Sequence, residues 1–200
     1  MTGRQLLAVT ALLGAILAFA SIRLRGPAPL PATADAGRFS AGRARPIAED
    51  LLREGVPHPV GSAANRVIRD RIAERFRILG YQVVIDARFV CNATPACATV
   101  ENLFAHQPGH PGPWTLLVAH YDSVPAGPGA SDDGAGVAVL LESARALRDR
   151  PGIAFLVTDG EEAGLLGAEA FVQSPLAKNV RAVVNVEYRG TSGPSFLFET

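Results

Sequence analysis

One histidine and six carboxylates have the types and spacing to hold a metal and move a proton. LLVAHYDS carries His120 and Asp122, IAFLVTDGEE runs into Glu161 and Glu162, and VVNVE ends at Glu187. Between the first two, SDDGAG supplies Asp132 and Asp133. If these apolar runs are strands of one open sheet, their C-terminal ends crowd negative charge into a single crevice. Such crowding is costly unless protons or cations neutralise it. A histidine among the acids points to a cation held by mixed nitrogen and oxygen ligands, a set that suits zinc, with manganese or cobalt also compatible. More carboxylates than one ion needs favour two ions sharing a bridging carboxylate.

Each signal also has a plainer reading. On a strand, residues i and i+2 share a face, so Asp122 is placed to accept a hydrogen bond from His120, an arrangement that orients metal-bound imidazoles. A strand-end histidine beside a turn aspartate would look the same. Ser131-Asp132-Asp133 precedes an apolar run and could simply cap a helix, although a cap needs one such residue and three are present. Glu161 and Glu162 could sit at an exposed helix start, where the dipole favours acids. Their position directly after a fully apolar strand instead puts them at the carboxyl rim of a sheet, where open α/β sheets bind ligands.

The elements needed to position these groups are legible. Helical periodicity begins near Arg45, breaks at His58-Pro59-Val60-Gly61-Ser62, and resumes with Val67, Ile68, Ile72, Phe76 and Leu79 until Gly80. Strands are predicted at 81–85, 100–105, 115–120, 153–158 and 182–187, with helices at 137–148 and 164–172. Alternation of short buried strands with helices indicates an α/β fold with a largely parallel core. A further strand is expected at 195–198, and the sheet would then stop without cover, so the chain reads as the N-terminal piece of a longer protein. His58 reads as a loop histidine. His106 and His110 lie in a Pro/Gly loop without further ligands nearby.

The 200 residues carry 19 basic and 19 acidic side chains, a balance that gives no support to nucleic-acid binding. Gln5 to Ile22 is uncharged and flanked by Arg4, Arg23 and Arg25. Residues 1–25 fit a signal peptide, with Ala18-Phe19-Ala20 as a cleavage pattern, and equally an uncleaved membrane anchor. Pro- and Ala-rich residues 26–40 read as a linker, and 41–200 as the domain. Both targeting readings place the domain outside the cytoplasm (periplasmic, extracellular or lumenal), where Cys91 and Cys97 are expected to close a short disulfide. Asn92-Ala93-Thr94 matches a glycosylation sequon, a short pattern that often arises by chance.

HYDS, SDDGAG and DGEEAGLLG, in this order, resemble the co-catalytic di-zinc exopeptidases of metallopeptidase family 28. Pro57–Ser62 (PHPVGS) and Asn185–Glu187 (NVE) are most similar to the membrane-tethered branch related to endoplasmic reticulum metallopeptidase. The resemblance covers roughly residues 45–200. It implies a three-layer sandwich with a mostly parallel central sheet flanked by helices, two zinc ions, and a peptide substrate cut from its N-terminus. It further implies that His120 and Glu187 bind one zinc, Glu162 the other, and Asp132 both. Glu161 matches the general base and Asp122 the residue orienting the histidine. The family joins its two aspartates by a cis peptide, expected here between Asp132 and Asp133.

One departure is plain: the family's second zinc has a late histidine ligand, and no histidine follows His120. That ligand is expected beyond Thr200. Two alternatives remain. A glutaminyl cyclase uses the same scaffold with one zinc, but that group lacks the histidine corresponding to His120. A peptidase-like binding module would have lost ligands, whereas Glu161 and Glu162 are both present.

Overall fold

In the computed structural model, residues 2–23, 28–93 and 95–187 are described. The expected strand at 195–198 lies outside them. The chain divides into two units, each taken by itself. The N-terminal one contains helix α1 (Gly3–Arg23), whose Gly3–Ile22 stretch is long and apolar enough to cross a membrane, with a mean hydropathy of 2.1. Its Leu6, Leu7, Leu12, Leu17 and Phe19 are all exposed.

The second unit is an α/β domain. Its elements in chain order are α2 (Ala41–Leu51), α3 (Ala63–Ile78), β1 (Gln82–Cys91), β2 (Cys97–His106), β3 (Trp114–His120), α4 (Gly134–Leu147), β4 (Ile153–Thr158), α5 (Leu166–Val172) and β5 (Val180–Asn185). A 3-10 turn, Pro175–Asn179, precedes β5. The sheet order is β1-β2-β4-β3-β5. β3 pairs in parallel with both β4 and β5, while β2 runs antiparallel to β1 and to β4. Four of the five strands therefore share a direction, and the C-terminal ends of β3, β4 and β5 lie along one edge.

Strand periodicity sorts the core into layers. Leu117, Ala119, Phe155 and Val157 face one side, against Ile72 and Phe76 of α3 and Leu140 and Leu141 of α4. Leu116, Ala154 and Leu156 face the other, against Phe171 of α5 and Leu176. This is the three-layer arrangement expected. Phe76, Tyr81 and Phe155 meet at centroid distances of 5.4–6.0 Å, contacts worth about 0.5–1.5 kcal/mol each beyond area burial. They fix α3 to the sheet.

Two elements exceed the sequence reading. β1 and β2 pair in full register from Gln82↔His106 to Cys91↔Cys97, and a disulfide joins the last pair. β1 is a half-exposed edge strand, so its outer half carries little apolar signal. Residues 30–40, expected as a linker, are held against the domain. Arg43 donates from its guanidinium to the carbonyls of Ala32, Ala34 and Arg38, and Arg145 donates to those of Ala36 and Arg38. Both arginines also donate to buried Glu142 of α4, which accepts the Ser40 N–H at 3.0 Å as well.

Candidate metal centre

His120 ends β3 and is almost fully buried. Its Nδ1 lies 3.1 Å from the carbonyl of Asp122, which leaves Nε2 facing the crevice. Around Nε2 are Asp132 Oδ1 at 3.0 Å, Glu187 Oε1 at 3.7 Å and Glu161 Oε2 at 3.9 Å. His120, Asp132 and Glu187 each offer a ligand atom, and these atoms lie within 4.8 Å of one another. β3, β4 and β5 thus deliver their acids to one point, as the sequence reading expects.

The electrostatics match a cation site. Burial works against a charged His120, yet hydrogen bonding and charge from Asp122, together with Asp132 and Asp133, push it up to about 10. Burial raises Glu187, and neighbouring Asp132 and Glu161 raise it further. Glu162 is raised by burial and by the charges of Asp132 and Glu161. The upward shifts of Glu162 and Glu187 reflect crowded negative charge, which a divalent ion would relieve. One imidazole and two carboxylates are a donor set that fits zinc.

Two residues support the centre from outside the ligand group, Asp122 in a way that differs from what strand periodicity predicts. The Asp122 carboxylate stands 3.5 Å from His120 Nδ1, because the chain leaves the strand after His120 and turns the Asp122 carbonyl toward the ring. That carboxylate instead accepts the backbone N–H of Glu161 at 2.9 Å and of Glu162 at 3.1 Å. Asp133 is the N-cap of α4: Oδ1 accepts from Gly136 N, and Oδ2 accepts from His120 N at 3.3 Å. It ties the start of α4 to the end of β3, and burial lifts it to about 8. The peptide between Asp132 and Asp133 is cis. Glu162 is exposed and stands outside the three-ligand group, though it feels its charge.

A buried polar network below the turn was not singled out from sequence. Asp159 accepts from Asn65 Nδ2 at 3.0 Å and from Glu101 N at 3.1 Å, and donates its own N–H to Asn102 Oδ1. Ser62 caps α3 and accepts from Asn65 N, so the PHPVGS segment sets the direction of Asn65. Burial raises Asp159 to about 6. The available clue was an aspartate directly following an apolar strand. His58 is buried in its loop, where its backbone N–H donates to Ser123 Oγ and its ring stands against the Val56 carbonyl. His106 packs beside Phe104 and Trp114. Neither belongs to a ligand group among the described residues.

A layered α/β domain with His120 and carboxylates converging at the carboxyl edge of its strands is the architecture of a metallopeptidase-like hydrolase. Residues 102–200 match the family model described as Peptidase family M28, and the chain belongs to that family. It is 37% identical over 149 residues to a vacuolar membrane protease of Candida albicans, covering 71% of this chain and 18% of that protein. The chain spans less than a fifth of the length of such relatives. Among solved structures it is similar to a Porphyromonas gingivalis glutaminyl cyclase, with a TM-score of 0.66 and 26% identity over 75% of this chain and 59% of that one. It also shares the fold of a Zn-dependent exopeptidase from Parabacteroides distasonis, with a TM-score of 0.63 and 18% identity over 77% and 63% of the two chains.

Proposed function

We propose that the protein is a zinc-dependent exopeptidase of the aminopeptidase type, anchored through α1 with its catalytic domain outside the cytoplasm. The observation that carries this reading is His120 Nε2 in the midst of Asp132, Glu187 and Glu161. His120, Asp132 and Glu187 would hold one zinc, and Asp132 and Glu162 would contribute to a second in the complete domain. Zinc at such a site activates water for attack and polarises the scissile carbonyl.

The chain's own residues do the rest. Glu161, held in place by Asp122, accepts the proton of the attacking water and returns it to the leaving amine. Asp133 and the Asp122 carbonyl orient His120 so that Nε2 points inward. The crevice carboxylates provide a favourable environment for a substrate's free, positively charged amino terminus.

The likeness to a glutaminyl cyclase supports a second reading, in which an N-terminal glutaminyl residue is cyclised with one zinc. The test is metal analysis and assay of the full-length protein on an aminoacyl fluorogenic amide and on a peptide with N-terminal glutamine. Two zincs with amide hydrolysis support the peptidase. One zinc, with loss of ammonia from the glutaminyl peptide, supports the cyclase. Glu161→Gln should abolish hydrolysis while zinc is retained, and an active Glu161→Gln variant removes Glu161 from its role.

A further inference from the structure

The turn carrying Glu161 and Glu162 is gripped from both sides. On its inner side, Asp122 accepts the two backbone N–H groups. On its outer side, Asn92 Nδ2 donates to the carbonyl of Gly164 at 2.8 Å and approaches that of Ala163 at 3.4 Å. Asn92 lies in the five-residue loop closed by Cys91–Cys97, and its own N–H donates to Ala96 O at 3.0 Å. Asn92 Oδ1 accepts from Ala96 N, so the amide orientation is fixed and Nδ2 must face the turn. Below this contact Val90, Val100 and Ala98 pack against Ala163, Leu166 and Ala170.

The turn needs such a grip. Gly160, Gly164 and Leu165 all have positive φ, at 67°, 97° and 64°. Leu165 pays a steric cost there that glycine would not. Three local hydrogen bonds, from Gly164 N and Leu165 N to Glu161 O and from Leu166 N to Gly160 O, close the turn on itself, and none of them holds the carbonyls of Ala163 and Gly164.

We propose that Asn92, presented by the disulfide-closed tip of the β1–β2 hairpin, is a positioning residue for the Glu161–Glu162 turn. This rests on the catalytic reading of Glu161 given above. Asn92 acts through the backbone and touches no reacting atom. Its Nδ2 is also the atom a sequon glycan would occupy, so glycosylation and the grip compete.

The experiment compares Asn92→Ala, Asn92→Asp and a Cys91→Ser/Cys97→Ser double variant in the full-length protein. For Asn92→Ala, kcat on an aminoacyl fluorogenic amide should fall at least about tenfold, since small misplacements of reacting groups are expensive. KM should stay within about twofold, because the substrate contacts are untouched. Hydrogen exchange of the Gly164 and Leu165 amides in zinc-free protein should quicken in Asn92→Ala and in the double variant. In Asn92→Asp an ionised carboxylate faces two carbonyls and regains a donor only when protonated. Its kcat relative to Asn92→Ala should therefore rise from about pH 7.5 to about pH 5.

Wild-type kcat and exchange rates in Asn92→Ala overturn the proposal, as does a lower melting temperature with kcat intact. If Asn92→Ala fails to fold, a flat pH ratio of Asn92→Asp to wild type overturns it. If the wild-type protein neither hydrolyses the amide nor binds zinc, the functional reading fails, and the exchange rates still decide whether Asn92 holds the turn.

Discussion

The Asp122 carboxylate accepts the Glu161 backbone N–H at 2.9 Å, so a residue two positions beyond the histidine that ends β3 sets the position of the base after β4. Its partner oxygen accepts from Glu162 N. Replacing Asp122 by alanine leaves two N–H groups without acceptors in a half-buried turn. Activity should fall by about 10–100-fold, the usual cost of losing such support. Steady-state kinetics with a parallel zinc determination would show it, and unchanged kcat/KM would remove Asp122 from the mechanism.

Metal should stabilise the folded domain. The donor atoms of His120, Asp132 and Glu187 come from separate segments that converge only on folding, so an ion bound there favours the native state by mass action. Chelation should lower the melting temperature of the wild type. The same treatment should leave His120→Ala nearly unmoved, and an equal shift in both would place the metal elsewhere.

Glu142 makes stability sensitive to acid. Burial raises it, but Arg145 and Arg43 outweigh burial and hold its carboxyl below the ordinary range. A depressed folded value means that its contribution is fully present above the unfolded carboxylate pKa of about 4.3. The contribution is lost as pH falls from there through the folded value. Glu142→Ala should destabilise the domain by about 3 kcal/mol at neutral pH, as expected for breaking a largely buried ion pair. Denaturant melts at neutral and acid pH should show the difference from wild type shrinking in acid.

Gly167 tests how closely α5 approaches the polar network. Helix propensity favours alanine over glycine by about 1 kcal/mol. At this position, however, a Cβ collides with the Asp159 carbonyl and comes within 2.6 Å of Asn102 Oδ1. Both are fixed by buried hydrogen bonds and cannot yield cheaply. The collision should win, with Gly167→Ala destabilising by about 1–3 kcal/mol. Thermal unfolding would reveal the sign.

β3 and β4 were legible because they are largely buried, whereas the exposed β5 runs over Val180–Asn185, two residues before its predicted span. Ile153–Thr158 matches its predicted span, and β3 differs from its prediction by one residue. Acids placed directly after such runs had to lie at one edge of the sheet. The hairpin was underestimated because an exposed edge strand alternates weakly. α5 begins two residues late because Gly164 and Leu165 are left-handed. The exchange of partners at Asp122 was hidden for a different reason: both acceptors belong to one residue, and spacing cannot tell a carbonyl from a carboxylate. The contacts of Asn65 and Asn102 were invisible, and Asn92 showed only as a sequon, because an amide's partner is set by tertiary packing and leaves no local pattern.

The segment of residues 30–40 changes where this domain begins. Of its side chains only Ser40 is buried, yet its carbonyls accept hydrogen bonds from the guanidiniums of Arg43 and Arg145, and Ser40 N–H reaches Glu142. A soluble fragment trimmed at the first helical residue, Ala41, would take the carbonyl acceptors from Arg43 and Arg145 and the Ser40 N–H from Glu142. One that starts at Pro29 keeps the whole lattice. The stretch that looks like spare rope is a seam, and cutting along it would unstitch α2 from α4.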